Sequence, residues 1–323
     1  MTHSPVVHGH ALALQSAAYY YCAARCVRES RSRRLVQFAT KRREHRKAWV
    51  VERLRELSDI FAIELCAYSV MPNHYHMVVR VDAAAAQRWT DEEVIERWQR
   101  LFGLPSAMER FLHGSESRDR ATARAIVARW RGWLTDVTRY ARYLNDWLAE
   151  RANLEERRKH RAWRGRFTCR PLTDAASVLT AMAYVDLNPV RAGLHFHGEA
   201  AAPTSIYDRK RMFFRHAPHG PRLRAFLCEA ASEDALPCSR EEYIELIDWT
   251  RRAIRRNQLA QLDRSPPESF TRLGLDARQW KLAMSSKTHV FRRPLGQRAR
   301  TGVKMKSRTQ TTLVLGASQL FGM

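Results

Sequence analysis

The sequence predicts an α+β protein in which helices pack on one face of an antiparallel sheet. Three observations point there. Short runs rich in aromatic and β-branched residues recur before residue 82. One of them is joined to the next by a Met-Pro-Asn turn. Long stretches with apolar residues three and four apart separate this group from a short capped helix near residue 180.

Taken in order, residues 18–28 (Ala-Tyr-Tyr-Tyr-Cys-Ala-Ala-Arg-Cys-Val-Arg) read as a first strand. Residues 40–57 place Trp49, Val50, Leu54 and Leu57 at helical spacing among many charges. Strands at about 61–70 and 74–81 follow, joined by Met71, Pro72 and Asn73. Residues 90–158 read as a long helical insertion marked by Val94, Trp98, Leu101, Trp130, Trp133, Tyr140, Leu144 and Trp147. Residues 173–188 form a short helix. Thr173 or Asp174 caps its start, and Pro189 ends it, because a proline drives the residue before it out of the helical region. Val178, Leu179, Met182 and Val185 are its buried stripe. Ser177, Ala181, Tyr184 and Asn188 lie on an adjacent stripe, with small residues that leave room over the Tyr184 ring. From about 199 to 240 four prolines interrupt the pattern, which reads as loops and short elements. Glu241 to Gln258 is a helix, and the chain beyond Ser285 is basic and poor in periodicity.

This gives an N-terminal arm (1–15), a main domain (16–215, with the insertion at about 90–158) and a basic C-terminal region (216–323). That last region reads equally as an accessory DNA-binding module or a disordered arm.

At 323 residues the chain is long enough to bury a large core. Its formal net charge is +23 and its pI about 10.6. Such a field favours polyanions, and nucleic acid is the commonest. Residues 118–170 hold 15 Arg and Lys against 6 Asp and Glu, interleaved with Trp and Tyr. That mixture suits phosphate contacts and base stacking, and equally suits solvated helices whose tryptophans are core. No apolar run of 18 residues, lipidation motif or signal peptide is seen, so the expected partners exclude a membrane and the expected location is cytoplasmic. The six Cys contain no C-x-x-C pair, which argues against a structural zinc site and for reduced thiols.

The chemistry centres on His74 and His76. Residues two apart on a strand face the same side, so both imidazoles share one face and Tyr75 takes the other. Two neutral imidazoles held so are half of a divalent-metal site. With 13 His in the chain the spacing also arises by chance. His8–His10 and His195–His197 share it but lack strand-like surroundings, and two plain strand histidines at 74 and 76 remain an alternative.

Tyr184 and Asn188 stand one helical turn apart. A phenol with a free pKa of about 10 is a poor nucleophile, but it attacks a phosphodiester once a metal neutralises the phosphate. An Asn188 amide oxygen is a suitable hard donor to complete a His-His-amide set. Tyr68, Tyr75, Tyr140 and Tyr143 are rival nucleophiles, and Tyr184 as a packing residue at a helix end is the competing reading.

The segment Val70-Met-Pro-Asn-His-Tyr-His-Met-Val-Val79, followed far downstream by Ala183-Tyr-Val-Asp-Leu-Asn-Pro-Val-Arg-Ala-Gly-Leu194, resembles the REP-associated tyrosine transposases. These belong to the single-tyrosine HUH transposases of small insertion sequences. The resemblance covers roughly residues 15–200. It implies a ferredoxin-like sheet carrying the His pair and a helix delivering the tyrosine. It also implies Mg²⁺ or Mn²⁺, and cleavage of single-stranded or hairpin DNA that leaves a 5′-phosphotyrosine and a free 3′-OH. By that match His74 and His76 are metal ligands, Tyr184 is the nucleophile, and Asn188 stands where a Gln or Asn ligand is expected. The stretch Ala162-Trp-Arg-Gly-Arg-Phe-Thr-Cys-Arg170 resembles a basic family segment, with Arg164 replacing its acid and Thr168-Cys169 replacing Lys-Ser. Arg164, Arg166, Arg170 and Arg191 are the expected DNA contacts. The expected protein is therefore a DNA transposase acting as monomer or homodimer. The alternative is a domesticated nucleic-acid-binding protein that keeps the fold without turnover.

Overall fold

The computed structural model describes residues 18–25, 45–106, 108–109, 117–157, 167–194, 203–214, 221–227, 235–262 and 265–285. The N-terminal arm, the tail beyond Ser285, and Arg164 and Arg166 lie outside the described residues. In chain order the elements are β1 (Ala18–Arg25), α1 (Arg46–Ile60), β2 (Ile63–Val70), β3 (His74–Val81), α2 (Ala83–Arg88), α3 (Asp91–Gln99), α4 (Ser117–Trp133) and α5 (Val137–Glu155). There follow β4 (Thr168–Leu172), α6 (Ala175–Asp186), α7 (Asn188–Arg191), α8 (Ser205–Phe214), α9 (Arg240–Arg255), α10 (Glu268–Arg272) and α11 (Ala277–Ser285).

The four strands form one antiparallel sheet in the order β2-β3-β1-β4, which is the ferredoxin-like order. β4 is short and contains Pro171, which an edge strand tolerates because its outer side needs no ladder donor. The α+β class and the antiparallel sheet are as the sequence implies.

Helices cover both faces of the sheet rather than one. Strand alternation sends Tyr75, Met77, Val79 and Val81 of β3 into a first core, where they meet Val50, Leu54 and Leu57 of α1. Trp98 of α3, Trp130 of α4, and Tyr140 and Leu144 of α5 join the same core. Val78 of β3 and Tyr19 and Tyr21 of β1 take the other face, against Val178, Leu179, Met182 and Val185 of α6. A bulge between Leu65 and Ala67 lets neighbours Cys66 and Ala67 both join this second core.

The insertion tryptophans are largely structural. Trp98 and Trp130 are buried and stacked, with centroids 4.9 Å apart. Arg97 lies 4.0 Å over Trp89, and Arg139 lies 4.0 Å over Trp133. The interleaving of Arg with aromatics in this stretch is thus met largely within the protein.

α6 begins with a capping box, in which Asp174 accepts from the Ser177 amide and the Ser177 hydroxyl accepts from the Asp174 amide. It ends at Asp186, and Asn188 restarts a single turn with Pro189 at its head. Gly193, at φ 72°, closes that turn. α6 is buried on all sides from Ser177 to Asp186. The reason lies downstream: Phe226, Tyr243, Leu246, Ile247, Trp280 and Met284 pack into the same core. Asp186 ties the layers together. Its carboxylate accepts from the Ser205 hydroxyl at 2.6 Å, the Ile206 amide at 2.8 Å and the Tyr243 hydroxyl at 2.6 Å. Burial pushes this carboxyl up to about 6 in spite of those bonds.

Candidate active site

β3 presents His74 and His76 side by side, with ring centroids 4.9 Å apart and planes at 84°. Tyr75 faces the opposite core, where its hydroxyl donates to the Asn145 side chain at 3.0 Å. The sheet register builds the rest of the pocket. Ala23 of β1 stands opposite His76, and Arg25 stands opposite His74. The small Ala23 lets Tyr21, two residues along the same face, lean over the imidazole. The two rings stack at 22° with centroids 5.8 Å apart, and the Tyr21 hydroxyl is 2.7 Å from His76 Nδ1.

α6 brings Tyr184 to the same spot. Its ring meets His76 edge-on at 5.8 Å and Tyr21 edge-on at 6.0 Å. Tyr184 thus stands beside Tyr21, close enough to help burial raise its phenol pKa. The Arg191 guanidinium caps the Tyr184 ring at 4.2 Å, and its Nε donates to the Met284 carbonyl at 2.9 Å. The open stripe expected over Tyr184 is therefore filled, and the residue is 4% exposed. The sequence argument treated α6 as half-buried, whereas Arg191 and the C-terminal helices close its outer side.

The electrostatics favour neutral imidazole. Burial first, then the neighbouring His74 and Arg191, hold His76 well below the usual histidine range. Burial first, then Tyr184, pushes the Tyr21 hydroxyl well above the usual phenol range.

The residues fit a divalent cation in three respects. His74 Nδ1 is 2.6 Å from the Asn73 side-chain oxygen, and His76 Nδ1 is engaged by Tyr21. A hydrogen bond at Nδ1 is how ligating imidazoles are held when Nε2 meets the ion. Asn188 is buried at 8% exposure at the head of α7, just after α6 ends, as a buried amide four residues from Tyr184 in sequence. Ser69 of β2 stands directly across from His76, is fully buried, and its hydroxyl has no hydrogen-bond partner among the described residues. Among the described residues no group of three His, Cys, Asp or Glu gathers to hold an ion. Any third protein donor beside the two histidines would then be an oxygen such as that of Asn188 or Ser69.

Of the expected DNA contacts, Arg170 lies in β4 opposite Tyr21 and shares its face of the sheet. Arg191 is engaged over Tyr184 as described. Among the rival tyrosines, Tyr68, Tyr75 and Tyr140 belong to the first core, on the face away from the histidines. The Tyr68 hydroxyl donates to Asp208. The sequence reading missed Tyr21, Asn73 and Ser69. Asn73 was visible as the residue before His74. Tyr21 and Ser69 depend on strand register, which no local pattern carries.

No family model, curated protein or solved structure matches the chain. Among the described residues no helix is long and apolar enough to cross a membrane.

Proposed function

We propose that this chain is a metal-dependent enzyme that cuts and rejoins single-stranded DNA at hairpin-forming repeats, a transposase of the single-tyrosine HUH kind. The observation that carries the reading is the meeting of the half-buried His74 and His76 with the buried Tyr184, from a strand and a helix about a hundred residues apart. The two sequence motifs that resemble REP-associated tyrosine transposases supply these same three residues.

His74, His76 and Asn188 would hold Mg²⁺ or Mn²⁺. A bound divalent cation neutralises phosphate charge and eases departure of the leaving oxygen. Tyr184 supplies the nucleophile. Its oxygen bonds to phosphorus as the bond from phosphorus to the 3′ oxygen breaks. The phenolic proton passes to solvent, and the departing oxygen takes one up to become a free 3′-OH. The DNA 5′ end is then held as a phosphotyrosine. Attack by a 3′-OH on that phosphorus reverses the exchange and reseals a strand without ATP. Arg170, paired with Tyr21 on the same face, would contact a phosphate.

The test is direct. A labelled single-stranded hairpin incubated with the protein and Mg²⁺ should give a covalent adduct that survives denaturation. Tyr184→Phe should abolish it. A second reading, a domesticated binder without turnover, is favoured by one observation: Tyr184 is 4% exposed and capped by Arg191. It predicts tight hairpin binding by the native protein with no adduct at any metal concentration.

A further inference from the structure

We propose that Tyr21 is the positioning residue of this site: its hydroxyl accepts from His76 Nδ1–H and donates to the Tyr184 oxygen, so one side chain sets the imidazole tautomer and the phenol rotamer together. The inference deepens the proposed function and rests on it for the direction of the bonds.

Three features carry it. The Tyr21 hydroxyl is 2.7 Å from His76 Nδ1, and the Tyr21 ring centroid is 6.0 Å from that of Tyr184. The Tyr21 ring stacks on His76 and meets Tyr184 edge-on, so both neighbours are fixed by packing as well as by the hydroxyl. Tyr21 is also buried in the central strand, with β3 on one side and β4 on the other. Water cannot readily replace its partners there, and the strand cannot slip without moving every side chain to the wrong face.

Proton counting leaves two directions for the bonds, and the proposed metal site selects between them. A phenol has one proton to give and lone pairs to accept with. If Tyr21 gives that proton to Tyr184, His76 must donate at Nδ1, and the Nε2 lone pair is left for a ligand. If the chain of bonds ran the other way, Nε2 would carry the proton and His76 could hold no ion. Only the first direction makes β1 a working part of the site. His76 would then resemble other ligating histidines, whose second nitrogen donates to a fixed acceptor.

The full chain, labelled with ¹⁵N-histidine and stripped of metal, gives the test. Long-range ¹H–¹⁵N spectra report which ring nitrogen of His76 holds the proton, with His76→Gln used to assign the signal. The wild-type spectrum should show a neutral ring protonated at Nδ1. In Tyr21→Phe, which keeps the ring and its stacking, the proton should move largely to Nε2. The same variant should bind Mn²⁺ about 10- to 100-fold more weakly, the usual effect of losing a partner behind a ligating histidine. A wild-type ring protonated at Nε2 overturns the proposal, as does an unchanged tautomer or unchanged Mn²⁺ affinity in Tyr21→Phe. The wild-type spectrum decides the direction even if the variant misfolds. It needs no DNA, so an absent adduct would sink the functional reading while leaving this result to stand or fall alone.

Discussion

The two faces of the sheet are built by the same strands and do different work. On the first face, β3 sends Tyr75, Met77, Val79 and Val81 into an apolar core closed by α1 and the insertion helices. The polar group of Tyr75 there is satisfied by one neutral partner, Asn145. On the second face, β3 presents His74 and His76, β1 presents Tyr21, β2 presents Ser69 and β4 presents Arg170. Tyr21, His76 and His74 touch one another in turn, and the Ser69 hydroxyl has no hydrogen-bond partner among the described residues. Strand alternation thus separates support from chemistry at single-residue resolution. Tyr75 and His76 are neighbours in sequence and belong to different problems.

Four substitutions probe that contrast. The largest effect is expected on the second face. His76→Ala should weaken Mn²⁺ binding by at least about 100-fold, measured by electron paramagnetic resonance titration. Its melting temperature should stay within a few degrees of the native value. On the first face, Leu57→Ala should lower unfolding stability by about 2–5 kcal/mol in a urea titration, because it opens a cavity in a fully buried position. The surviving folded fraction should bind Mn²⁺ normally. Arg170→Ala should weaken hairpin binding and reduce the slope of log affinity against log salt by about 1, the signature of one lost phosphate contact. Tyr75→Phe should be the mildest, costing about 1 kcal/mol for the hydrogen bond to Asn145. Adduct yield should be unchanged. A Tyr75→Phe protein that lost metal affinity, or a His76→Ala protein that lost only stability, would break the division between the faces.

The same contrast explains what the sequence revealed. His74 and His76 were legible because their shared direction follows from a two-residue spacing within one strand. Asp174 marked the start of the tyrosine helix for an equally local reason, but Pro189 does not end it: the helix stops at Asp186, and Asn188 and Pro189 head the next helical turn, where a proline is tolerated. β4 was read only as a basic stretch, because five residues including Pro171 carry little strand signal. α8 was missed in a region broken by prolines. Tyr21 sat in plain view within Tyr19-Tyr20-Tyr21, yet only the pairing of Ala23 with His76 singles it out. The closed top of Tyr184 was hidden for the same reason. It depends on Arg191 meeting the Met284 carbonyl 93 residues away. Short-range physics specified the histidine pair, and long-range packing specified what surrounds it.

The proposed chemistry requires the two imidazoles and the Tyr184 phenol to act on one phosphate. Mass spectrometry of proteolysed protein after incubation with hairpin DNA and Mg²⁺ tests it most directly. The account predicts nucleotide attached to the peptide at Tyr184, and none when EDTA replaces Mg²⁺. Nucleotide on a different tyrosine, or firm DNA binding with no modified peptide, would contradict it.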